Sequence, residues 1–132
     1  MSAKTSPESS LNAFERAAIE AICSGHPLGS AILAQIETAL VLERSNTGSG
    51  VFTDFTVSRR SPPLQVAGPI GDATADVSGL SEPVMFLLYL SDGYADCLEC
   101  ASVGEDDTRK IDFSSVEFTI PSKSGPIVRI SS

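Results

Sequence analysis

Residues 83–102 read PVMFLLYLSDGYADCLECAS, and the fold turns on this stretch. Val84 to Leu90 is wholly apolar yet far too short to span a bilayer as a helix. Pro83 bounds it on one side and Ser91-Asp92-Gly93 on the other. An Asp-Gly pair between two apolar runs is the chemistry of a tight hairpin, because these residues accept the positive φ that such a turn demands. Tyr94 to Ser102 is of strand length and lies directly beyond the turn, so the two runs are expected to pair as antiparallel strands, whose side chains repeat with a period of two.

Working outward from this hairpin, the same period of two begins at Ala39 and continues to Ile120. It predicts strands over 39–44, 50–58, 72–78, 83–91, 94–102 and 113–120. Asn46-Thr47-Gly48-Ser49-Gly50 supplies another turn, while Ser61-Pro62-Pro63 and Gly68-Pro69-Ile70-Gly71 mark a longer connection. Before residue 39 the spacing is helical. Asn12-Ala13-Phe14-Glu15 forms a variant capping box, and Leu11, Phe14, Ala18 and Ile22 then share one face, widened by Ala17 and Ala21. Gly25 sits where a left-handed C-terminal cap is wanted, and Pro27 suits the first turn of a second helix with Leu28, Ile32, Leu33 and Ile36 inward. Helices followed by strands, without βαβ alternation or internal repeats, predict an α+β fold: two N-terminal helices packed on one face of a mostly antiparallel sheet of about six strands. The expected organisation is a flexible tail over 1–10 with no leader-like apolar segment, one domain over 11–120, and an extension over 121–132 whose Ile127-Val128-Arg129-Ile130 can form an edge strand.

The chain has 132 residues, with 9 Lys and Arg against 17 Asp and Glu, for a formal charge of −8. An acidic chain whose only adjacent basic pairs are Arg59-Arg60 and Arg109-Lys110 is a poor counter-ion for phosphates, so nucleic acid is excluded as a partner. No membrane contact is expected either, since the longest wholly apolar run is only Val84 to Leu90. Three cysteines, an odd number in a domain large enough to fold without staples, point to reduced thiols and a cytoplasmic location. The carboxylates Asp92, Asp96, Glu99, Glu105, Asp106 and Asp107 follow one another with no intervening Lys or Arg, and are expected to form an acidic edge that draws a basic protein partner.

Apolar residues also appear on the side of the sheet that the helices cannot cover. Phe52 lies on the otherwise polar side of its strand, and Met85 belongs to a run apolar on both faces. Exposed, such a patch costs about 25 cal/mol per Å². Cover is expected from a second copy of the chain, making a homodimer with Phe52 and Met85 at its contact, or from a sheet that curls on itself.

Cys23, His26, Cys97 and Cys100 would suffice chemically for tetrahedral zinc. On a strand, however, residues three apart face opposite ways, so Cys97 and Cys100 are expected as sheet residues, Cys23 as core, and no metal or other cofactor is assigned. No nucleophile elbow and no phosphate-binding loop accompany His26, so catalytic residues are not assigned and enzymatic activity is not expected.

Residues 44–55, RSNTGSGVFTDF, together with 76–80, DVSGL, then Phe86-Leu87-Leu88-Tyr89, Asp92-Gly93 and Leu98-Glu99, resemble a family of small uncharacterised bacterial proteins patterned "tGvGfft.f... DG.l..LE". The resemblance implies a bacterial cytosolic α+β domain and brings no catalytic residues. Cys100 stands where that pattern has a small residue, and 121–132 run past its end. The function these features suggest is a non-enzymatic binding module that captures a protein partner through the acidic edge, as immunity proteins do. The alternative is a small-molecule-binding domain or small enzyme with a pocket between helices and sheet, His26 and carboxylates supplying its polar groups.

Overall fold

Asn12 opens the first helix by the reciprocal bonding its sequence promises. Its Oδ1 accepts the Glu15 backbone N–H at 2.8 Å, and Glu15 Oε1 accepts the Asn12 N–H at 2.8 Å. The computed structural model describes residues 10–66 and 68–121. In these, α1 (Ala13–Cys23) and α2 (Gly29–Ile36) precede the strands β1 (Leu40–Asn46), β2 (Gly50–Thr56), β3 (Ile70–Val77), β4 (Val84–Ser91), β5 (Tyr94–Ser102) and β6 (Phe118–Thr119). Gly25 takes φ +95° at the end of α1, as its position requires. Pro27 falls just before α2 rather than inside it. The proposed edge strand over 127–130 lies outside the described residues, as do positions 1–9 of the tail.

The described strands form one six-stranded sheet in the order β1-β2-β5-β4-β3-β6, and every pairing is antiparallel. The hairpin that decides the fold is present: Asp92 (φ 54°) and Gly93 (φ 86°) make a turn with two positive φ values, matching the twist of β4 and β5. The β1–β2 turn is held from outside. Thr108, fully buried in a short 3-10 turn (Thr108–Lys110), donates its hydroxyl to Asn46 Oδ1 at 2.8 Å and its N–H to the Gly48 carbonyl at 2.9 Å. Asn46 Nδ2 returns a bond to the Thr108 carbonyl at 3.0 Å.

Both helices lie on one face. Phe14, Ala18, Ile19 and Ile22 of α1 and Ile32 and Ile36 of α2 meet Phe55, Ala75, Val84, Phe86, Leu88 and Leu98 of the sheet, all nearly inaccessible to water. Phe14 is the centre of this layer, its ring 5.4 Å from Phe86, 5.1 Å from Phe113 and 5.0 Å from Phe118. Burying one such ring stabilises the fold by about 1.5–3 kcal/mol, with roughly 0.5–1.5 kcal/mol more for each edge-on aromatic neighbour.

One expected strand is largely absent. Of residues 113–120 only Phe118 and Thr119 pair, with Val77 and Asp76. The first half is a turn instead, because Asp112 accepts from the Ser114 N–H at 3.0 Å, the Ser114 hydroxyl at 2.6 Å and the Ser115 hydroxyl at 3.3 Å. The period of two survives only where a partner strand is within reach. No helix among the described residues is long and apolar enough to cross a membrane.

Candidate functional site

Strand alternation gives the sheet a second face that neither helix touches. On β4 the helix-side residues Val84, Phe86 and Leu88 are wholly buried, whereas Met85, Leu87 and Tyr89 point the other way and are half-buried. Pairing extends this face across the central strands. Phe52, Glu99 and Leu87 form one cross-strand row, Asp54, Cys97 and Tyr89 the next, and Ala101, Met85 and Thr74 lie on the other side of the first. Phe52 and Met85, expected at a subunit contact, are therefore both on this face, half-buried, and it is uncovered by any helix among the described residues.

The electrostatics of the two faces differ. Glu43 pairs with Asp54 across β1 and β2, Asp76 projects on the same side of β3 as Thr74, and Glu99 occupies the middle of β5. Arg44 is the sole basic residue in any described strand, and it lies on the helix side opposite Thr53. The strands thus give the uncovered face carboxylates and no cation. Tyr89 donates its hydroxyl to Glu99 Oε1 at 2.7 Å, and this bond holds the phenol above its ordinary pKa. Burial, and next a hydrogen bond to the Asp54 carboxylate, push the neighbouring Cys97 thiol up to about 12, so it stays protonated.

The acidic run from Asp92 to Asp107 does not form an edge. Its middle is β5, which lies inside the sheet, so Asp92 at the β4–β5 turn and Glu105 to Asp107 beyond Ser102 are at opposite ends of a strand about 30 Å long. Two of the six are occupied within the fold. Asp106 accepts the Ser81 N–H at 3.1 Å, the Ser81 hydroxyl at 2.9 Å and the Glu82 N–H at 3.0 Å, bonds that lower its pKa. Asp107 caps the 3-10 turn and pairs with Arg109 at 3.1 Å. Of the remainder, Glu99 belongs to the uncovered face, Asp96 is the extra residue where the β4–β5 register shifts, and Asp92 and Glu105 are exposed.

The four metal candidates are also dispersed. Cys23 is buried in α1, Cys100 faces the helices, and Cys97 faces away from them. Burial, and after it the charges of Glu99 and Glu15, push the Cys100 thiol to about 12. His26 lies between the helices, with Nδ1 accepting the Leu28 N–H at 3.0 Å. Among the described residues no three His, Cys, Asp or Glu side chains gather as a metal would require.

His26 lines neither described cavity. One, of about 540 Å³, lies beside β6 among Asp76, Ser81, Glu82 and Glu117. The other, of about 330 Å³, lies at the start of α1 beside Glu15, Arg44, Asn46 and Asp112. Glu15, 4% exposed, is saturated: Oε2 accepts from Arg44 Nε at 2.7 Å and the Thr53 hydroxyl at 2.8 Å, and Oε1 accepts from the Asn12 N–H and from a terminal Arg44 nitrogen at 2.9 Å. Burial alone would raise its pKa, but Arg44, Asn12 and Thr53 together lower it. This clamp joins α1 to β1 and β2, and its long-range half has no signature in sequence spacing. Gln35, 1% exposed, does the same for α2. Its Nε2 donates to the carbonyls of Gly93 at 3.0 Å and Pro62 at 3.3 Å, and its Oε1 accepts the Ala95 N–H at 3.0 Å.

Comparison of the chain with protein-family models, with curated proteins and with solved structures gave no match.

Proposed function

We propose that this protein is a non-enzymatic binding module that takes a basic protein partner on the uncovered face of its sheet. The observation that carries this reading is the composition of that face: Phe52, Met85, Leu87 and Tyr89 are half-buried among Glu43, Asp54, Asp76 and Glu99, with the one strand arginine turned to the opposite side. Apolar side chains interspersed with charge of one sign are what a protein interface of complementary sign requires. The acidic recognition expected from the sequence is thereby moved from an edge to a face. Free thiols at Cys97 and Cys100 support a reducing, cytoplasmic setting.

A second copy of the chain, the occupant expected from Phe52 and Met85, is the competing cover. Two such faces stacked together would bring the carboxylates of one against those of the other, and like charges juxtaposed in an interface cost several kcal/mol. The test is binding of two peptides of equal length and apolar content, one bearing lysines and one glutamates, to the full chain at low and at high salt. The cationic peptide is expected to bind, to weaken as salt rises, and to be lost in Phe52→Lys. Equal binding of both peptides, salt-independent binding, or a dimer in light scattering that Phe52→Asp converts to monomer would overturn the reading.

A further inference from the structure

We infer that the uncovered face seats an arginine side chain at Glu99, so that its partner is an arginine-bearing segment of another protein. This rests on the reading of the face as a docking surface for a basic partner, and specifies which cation it takes.

Glu99 has the surroundings that separate arginine from lysine. It stands on the central strand with Phe52 directly across on β2 and Leu87 directly across on β4, positions whose Cβ atoms lie about 4.5–5.5 Å away in an antiparallel sheet. The Tyr89 hydroxyl donates to one carboxylate oxygen at 2.7 Å, which restrains the group before any partner arrives. Asp54, one row along, supplies a second carboxylate beside the same aromatic ring positions. A guanidinium is planar, always charged and weakly hydrated; it forks onto a carboxylate and lies flat on an aromatic ring. An ammonium is a strongly hydrated point charge that gains little from either. A restrained carboxylate with a phenyl directly across from it and a phenol bonded to it therefore suits the first better than the second.

The chain uses both halves of this chemistry elsewhere. Arg44 forks onto Glu15 at 2.7 and 2.9 Å, and Arg59 lies over the Tyr94 ring at 4.2 Å from its centre. On the uncovered face the carboxylates and rings are present, and the strands supply no arginine to meet them.

The test compares two peptides, identical except that one carries arginine wherever the other carries lysine, binding to the full chain in moderate salt by fluorescence anisotropy. The arginine peptide should bind about five- to tenfold more tightly. Glu99→Gln should abolish most of that difference, while Glu20→Gln, on the exposed side of α1, should leave it; an unchanged urea midpoint confirms that the Glu99 variant folds. Equal affinity for the two peptides overturns the arginine inference and leaves the basic-partner reading standing. Binding of neither overturns that reading as well. A dimer that excludes the peptides identifies a second copy as the occupant, and peptide binding that appears only on deleting residues 122–132 identifies the chain's own C-terminal segment; either result overturns the inference.

Discussion

Replacing Glu15 by Gln keeps the shape of the side chain and removes its charge. In the native chain four donors converge on this carboxylate: Nε and a terminal nitrogen of Arg44, the Thr53 hydroxyl and the Asn12 N–H. An amide offers one accepting oxygen, and its NH₂ meets whichever donors remain. The capping half tolerates the change, because Gln also serves at the third helical position. The ion pair does not. Breaking a buried pair costs about 3–5 kcal/mol, but Arg44 is 37% exposed and regains water, which reduces the expected loss to about 2–3 kcal/mol. Urea unfolding at neutral pH, with the slope unchanged, measures it directly. The sign of the pH dependence follows from the lowered pKa of Glu15: its contribution is fully present above the unfolded value of 4.5 and is lost as pH falls through the lower, folded value. The stabilities of wild type and variant should therefore converge in acid. A loss under about 0.5 kcal/mol, or a difference that persists unchanged at about pH 2, would refute the assignment of stability to the carboxylate.

Two further outcomes are expected. Gln35→Leu should cost about 2–4 kcal/mol in thermal or urea unfolding, because the buried Ala95 N–H loses its acceptor, and that amide should exchange with solvent faster than its neighbours on β5. With their pKa values near 12, Cys97 and Cys100 should react with a thiol reagent at pH 8 far more slowly in the native protein than in urea, and native rates equal to unfolded ones would contradict their burial.

Local chemistry was legible in the sequence; what joins distant segments was not. The capping box at Asn12 and Glu15 and the Asp92-Gly93 turn appear where spacing places them, since each is decided within four residues. The same Glu15 also reaches Arg44 and Thr53, and nothing in the intervening sequence announces either contact. Gln35 reads as an ordinary surface residue of a short helix until the Pro62 carbonyl and the β4–β5 turn fold over it. The acidic run misled for a related reason. Closeness in sequence is not closeness on a surface here, because a strand inside a sheet carries its two ends apart and sends alternate side chains to opposite faces. Phe113 to Glu117 shows the opposite error: period-two spacing is present, but the hydroxyls of Ser114 and Ser115 find Asp112 before the backbone finds a strand. Phe52 and Met85 lie on the side away from the helices, because apolar residues at positions of that parity can only point there.

The register of β1 shifts between Val41 and Glu43, leaving Leu42 without a partner on β2 and 57% exposed on the outermost of the described strands. That irregularity bears on how the molecule should behave when concentrated. A flat outer strand displays a ladder of unused amides and carbonyls that templates end-to-end growth into fibres, and a kink with an adjacent charge such as Glu43 spoils the template. Deleting Leu42 should straighten this strand and restore a continuous ladder, and light scattering of the concentrated protein is expected to show the shortened chain associating more than the native one.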